Sequence, residues 1–161
     1  MKKNQLFLSL LLLVFGLFIS SCSEDNEPIL PNEKEVTYRV LFTINELSND
    51  LLNISDVNLI YIDTEGVSQS ESILEYPFNK EIKGYRQGST PTFIISCQRN
   101  SEELTQEKYD VIIDGKIKSV NEIDGGIVSK GISVHSTGVV NERIEEYLER
   151  ISKRVYSVEC K

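Results

Sequence analysis

Apolar and polar residues alternate along most of this chain, and a period of two is the pattern of a strand with one buried face. In residues 35–47 (EVTYRVLFTINEL), Val36, Tyr38, Val40, Phe42 and Ile44 alternate with Thr37, Arg39, Leu41 and Thr43. β-Branched and aromatic residues dominate there, and they suit a pleated, half-buried surface. The same rhythm predicts strands over 57–63, with Val57, Leu59 and Tyr61 on one face, and over 91–98, with Phe93, Ile95 and Cys97 together. Shorter stretches at 71–78 and 81–85 read as strands too, with Pro77 suiting a strand end or edge. Residues 45–55 and 101–106 lose the alternation and read as loops. The stretches 109–113 and 117–120 flank Asp114-Gly115, a dipeptide that favours a two-residue hairpin turn. Residues 127–134 read as strand or coil.

At 141–154 the period changes. Val140, Ile144, Tyr147, Leu148 and Ile151 recur at helical spacing, with Glu142, Glu145, Glu146 and Glu149 on the other face. Asn141 stands at the N-cap position, acids fill the first turn, and Lys153 and Arg154 follow the last, so an amphipathic helix closing the fold is expected. Residues 155–160 (VYSVEC) return to alternation as a final strand. Seven or eight short strands, with turns about every ten residues, predict a mainly β domain. The expected fold is an immunoglobulin-like antiparallel β-sandwich with one C-terminal helix (141–154) and a last strand.

The first residues follow a different logic. Met1-Lys2-Lys3-Asn4-Gln5 is a short basic start, and residues 6–19 (LFLSLLLLVFGLFI) are apolar apart from Ser9 and Gly16. Fourteen helical residues span about 21 Å, short of a hydrocarbon core of roughly 30 Å, so this reads as a signal peptide rather than an anchor. Ile19-Ser20-Ser21-Cys22 resembles the lipobox of bacterial lipoproteins. That resemblance implies a diacylglyceryl group on the Cys22 thiol, cleavage before Cys22, acylation of the new amine, and stable attachment to a membrane through the acyl chains. Ser23-Glu24-Asp25-Asn26-Glu27 is similar to the acidic export tract of surface lipoproteins of Bacteroidota-type bacteria, which implies the outer face of the outer membrane. Pro28 and Pro31 interrupt regular structure. The expected organisation is a lipoprotein signal peptide at 1–21, the lipidated Cys22 with an acidic tether at 22–34, and a sandwich domain at 35–161.

Composition narrows the chemistry. The 161 residues carry 17 Lys and Arg against 25 Asp and Glu, a net charge of −8. Losing Lys2 and Lys3 with the leader takes it to −10, which argues against the basic footprint of a nucleic-acid binder. Ala is absent, which disfavours an all-helical fold. One His disfavours His-rich metal sites, and no metal or cofactor is expected. Cys97 and Cys160 are left to pair; exported chains form disulfides, and sequence alone leaves open whether these two are bridged. His135 would be the base of any hydrolytic triad, but a Gly-x-Ser-x-Gly elbow is lacking. Asp110, Asp114, Glu122 and Asp124 lie near glycines without the EF-hand spacing. Tyr38 and Tyr61 fall on apolar strand faces, which reads as core rather than a sugar-stacking platform.

Four short motifs, VTYRV (36–40), IYIDTEG (60–66), YPFNK (76–80) and VIIDGK (111–116), resemble small envelope sandwich proteins of the MmpS-like kind. That resemblance implies an opening strand, a Tyr-x-Asp hairpin, a Pro-containing strand and a late Asp-Gly hairpin, and it brings no catalytic residues. The expectation is a lipid-anchored, non-enzymatic binding or accessory module at the cell surface, with a protein or glycan partner the sequence does not identify. A periplasm-facing transport or assembly accessory protein and a hydrolase with a dispersed carboxylate pair stand as alternatives.

Overall fold

The computed structural model describes residues 35–100 and 104–161. Their order is β1 (Thr37–Leu47), α1 (Asn49–Ile54), β2 (Ser55–Ile62), β3 (Ser68–Ser72), β4 (Phe78–Arg86), β5 (Thr92–Arg99), β6 (Lys108–Asn121) and β7 (Ile127–Val140). A 3-10 turn (Asn141–Arg143), α2 (Ile144–Ser152) and β8 (Val155–Ser157) complete it. All strand pairs are antiparallel. They form two four-stranded sheets, in the orders β4-β1-β6-β7 and β3-β2-β5-β8. The layering is that of a β-sandwich, with β1 central in its sheet.

Alternation places the core. Tyr38, Val40, Phe42 and Ile44 of β1 are buried, as are Val57, Leu59 and Tyr61 of β2 and Phe93, Ile95 and Cys97 of β5. The sheets meet through the rings of Phe42 and Phe93, stacked with centroids 5.4 Å apart, and Tyr61 lies 6.2 Å from Phe93. Aromatic pairs at such spacing add to the free energy of area burial.

Asp114-Gly115 is not a turn: β6 runs unbroken from Lys108 to Asn121. The dipeptide lies opposite Ile44 and Glu46 of β1, where the register shifts by one residue at a bulge. A Cβ on Gly115 would come within 2.3 Å of the Thr43 carbonyl oxygen, so the glycine permits close approach of two backbones rather than reversal of the chain. Residues 71–78 are not one strand either. β3 ends at Ser72 and β4 starts at Phe78, and Leu74 between them is 83% exposed.

Two helices close the sandwich. α1 forms where a loop is expected, because Ser48 caps it and ties it to β6. The Ser48 hydroxyl donates to the Asp110 carbonyl (2.6 Å) and accepts from the N–H groups of Ile112 (3.1 Å) and Leu51 (3.4 Å). Asp50 accepts from the Asp110 N–H (2.7 Å), and Leu51 and Ile54 face the core. α2 buries Ile144, Leu148 and Ile151 and packs on β5. The helix begins at Ile144 after a 3-10 turn, so Asn141 is not its N-cap.

Candidate functional site

A cleft of about 720 Å³ lies at the end of the sandwich where the turn after β2 meets the loop between β4 and β5. Asp63, Tyr85, Arg86, Ser89, Thr90 and Thr92 contribute to its wall. Asp63 opens a turn: its carboxylate accepts from the N–H groups of Glu65 (3.0 Å) and Val67 (2.9 Å) and from the Gln69 amide (2.8 Å). The Gln69 bond first, and then the backbone donors, hold its carboxyl below the usual range. Tyr85 is buried and donates to the Ile62 carbonyl across the sheets (2.7 Å). Burial pushes its phenol up to about 12, with the Cys160 side chain a lesser cause. Arg86 holds Glu35 at 3.0 Å. The charged groups of the cleft are thus committed to structure. Thr64, Ser89, Thr90 and Thr92 add small hydroxyl-bearing residues to the wall.

A second polar cluster lies between the edge strands β3 and β4. Lys80 forms an ion pair with Glu71, the Tyr61 hydroxyl donates to Glu71 Oε1 (2.8 Å), and the Lys80 ammonium lies 5.3 Å from the centre of the Tyr61 ring. Register explains the meeting. Glu71 stands opposite Leu59 and Lys80 opposite Phe42, so both side chains share the inward phase of their strands. The Lys80 hydrogen bond lowers the Glu71 pKa, and the same bond raises that of Lys80. Neither residue was singled out from sequence, yet the signal is there: Lys80 falls in step with Phe78 and Ile82.

The residues weighed from sequence do not converge. His135 is exposed on β7 opposite Ile112, and among the described residues no side chain is hydrogen-bonded to it. Asp110 accepts from the Gly138 N–H, Asp114 from the Asn45 amide, Glu122 from Thr37 and Asp124 from the Gly126 N–H. Among the described residues no three His, Cys, Asp or Glu side chains could hold a metal ion. Tyr38, Tyr61, Tyr85 and Tyr109 are core residues.

Cys97 and Cys160 are both buried and both free. The Cys160 N–H donates to the Ser89 carbonyl (3.0 Å), which precedes β5, whereas Cys97 lies five residues inside that strand. Five strand residues span about 16 Å, more than twice the Cα separation a disulfide tolerates. Ser119 donates to the Cys160 sulfur (3.4 Å) instead. Burial raises the pKa of both thiols, that of Cys97 to about 12. Cys22 and the lipobox lie outside the described residues.

These features define an antiparallel β-sandwich with a filled core and a shallow polar end cleft. Comparison of the chain with family models, curated proteins and solved structures finds no match. Among the described residues no helix is long and apolar enough to cross a membrane.

Proposed function

We propose that this chain is a bacterial lipoprotein, joined through acyl chains on Cys22 to the outer membrane, that carries its sandwich at the cell surface as a non-catalytic binding or accessory module. One observation carries the reading. A basic start, a fourteen-residue apolar stretch and Ile19-Ser20-Ser21-Cys22 follow one another in the order that lipoprotein export requires. The acidic tract after Cys22 supports surface display. The wall of the end cleft supports a binding role: it carries Ser89, Thr90 and Thr92, and its Asp63 carboxylate is held by the Gln69 amide and by backbone N–H groups.

Growth with labelled palmitate tests the anchor. The wild-type chain is expected to take up label and to fractionate with the membrane, and Cys22→Ala to lose both. An unlabelled wild-type chain, or a labelled Cys22→Ala chain, would reject lipidation at this site. Protease added to intact cells tests the address: digestion of the sandwich supports surface display, and full protection favours the periplasm-facing alternative.

A further inference from the structure

The two sheets present unlike outer faces, and register fixes which side chains share them. On the β4-β1-β6-β7 sheet, Arg39 stands opposite Lys83, Leu41 opposite Lys118 and Thr43 opposite Lys116. These positions alternate with the buried Tyr38, Val40, Phe42 and Ile44, so they point outward. Four bases thus fall in three successive outward rows that hold one acid, Glu81, opposite Leu41. Arg39 (3.7 Å) and Lys83 (3.2 Å) both approach that acid. Lys116 and Lys118 form no ion pair among the described residues. Glu46 and Asp114, opposite each other, close the patch beyond Thr43 and Lys116. The other sheet is different: its outward positions, in step with Asp56, Asn58 and Ile60, include no Lys or Arg.

Small polar groups interleave with these bases. Ser129 stands opposite Lys118, and Gly131 opposite Lys116. A Cβ on Gly131 would meet nothing within 4 Å, so the face is open beside Lys116. In the same row Thr43 donates to the Asn79 side-chain oxygen (3.0 Å), which leaves the Asn79 amide N–H groups to face outward. Lys116 and Lys118 are half-buried, as expected where Lys stems cover neighbouring surface and their ammonium groups stay in water. Same-face residues of one strand start about 6.6 Å apart, and Arg39 continues the line diagonally from Lys118 on the next strand. No aromatic side chain stands in these rows.

We propose that this face binds a linear acidic polysaccharide. Carboxylate or sulfate groups on successive sugars would meet Lys116, Lys118 and Arg39, and sugar hydroxyls would exchange hydrogen bonds with Asn79 and Ser129. The inference deepens the binding role proposed above and rests on it. Charge makes the first selection: a chain of net charge −8 repels polyanions over most of its surface and admits them where bases gather. The rest of the face makes the second. A single-stranded nucleic acid calls for aromatic rings on which its bases stack, and an acidic protein for a centre rich in aromatic residues. This face offers neither, but it sets hydroxyl, amide and open backbone beside each Lys, which suits a polymer that is anionic and polyhydroxylated. Glu46 and Asp114 limit the contact to a short stretch of that polymer.

The test offers immobilised polygalacturonate, dextran sulfate and neutral dextran to the full-length chain in detergent. The wild-type chain is expected to bind one or both acidic polymers, to ignore dextran, and to be released as salt rises from about 50 to about 500 mM. Lys116→Gln combined with Lys118→Gln is expected to weaken binding about tenfold at an unchanged melting temperature. Gly131→Asp sets a carboxylate opposite Lys116 in open space, and it should weaken binding without removing a base. Lys153→Gln combined with Lys161→Gln changes the same charge away from this face and should bind as the wild type does. No binding to either acidic polymer, undiminished binding by Gly131→Asp, equal weakening in the Lys153 and Lys161 control, or equal retention on polyglutamate or oligothymidylate would each overturn the proposal. None of these readouts depends on the acyl group, so failure here leaves the reading of Cys22 standing.

Discussion

Single atoms decide some of this fold. Gly115 is the sharpest case, because the β1 backbone comes so near that a methyl group would meet the Thr43 carbonyl at 2.3 Å. Gly115→Ala is therefore expected to destabilise the domain by about 3 kcal/mol, the upper range for forcing a methyl group into a packed site. Chemical denaturation should show the loss as a lower midpoint with an unchanged slope. At the residue scale, alternation marks the buried face of β1, β2 and β5, but it does not mark where a strand stops: 71–78 divides between β3 and β4, and β8 ends at Ser157 within 155–160. The inward sets Tyr38, Val40, Phe42 and Ile44, Val57, Leu59 and Tyr61, and Phe93, Ile95 and Cys97 are all buried. Asp114-Gly115 carries a local turn signal, but the need for a glycine there comes from Thr43, 72 positions earlier in β1.

Strand edges govern behaviour at the scale of elements. The Lys80 and Glu71 side chains are 27% and 36% exposed, so their ion pair contributes little, at most about 1 kcal/mol. Its larger effect is to place charge where a stray strand would otherwise dock. Lys80→Leu is thus expected to change the melting temperature slightly while raising the rate of aggregation on heating, read by light scattering. The sign for Glu71 is clear: its folded pKa is lowered, so its contribution is present above the ordinary carboxylate value of 4.5 and fades as pH falls through the folded value. Elements held by period were legible in advance; those held by tertiary partners were not. The apolar stripe of α2 is visible at 3.6-residue spacing, but six-residue α1 depends on Ser48 and Asp50 gripping Asp110, 60 positions away. That grip has no signature within a short window.

Across the whole molecule, burial of neutral acids sets an alkaline limit. Cys97 rises from an ordinary 9.0 to about 12, and Tyr85 from 10.0 to about 12. A raised pKa means that the folded chain keeps a proton which the unfolded chain gives up. Stability is then full below pH 9 and falls progressively between about 9 and 12. Thermal melts from pH 8 to pH 11 should show this decline, and Cys97→Ala should flatten its first part relative to its own value at pH 8. Layering and strand number could be read from the sequence. Sheet order and the separation of the two thiols could not, because both are set by which strands become neighbours, and period carries no information on that.

The central position of β1 has a mechanical meaning. The chain upstream of Glu35 enters the domain directly through this strand, which is bonded along one side to β4 and along the other to β6. Tension arriving from that direction runs along the strand axis and loads both ladders in shear, so their hydrogen bonds resist together instead of opening one at a time. Force applied at the N-terminal side of the domain is therefore shared between two ladders rather than carried by one.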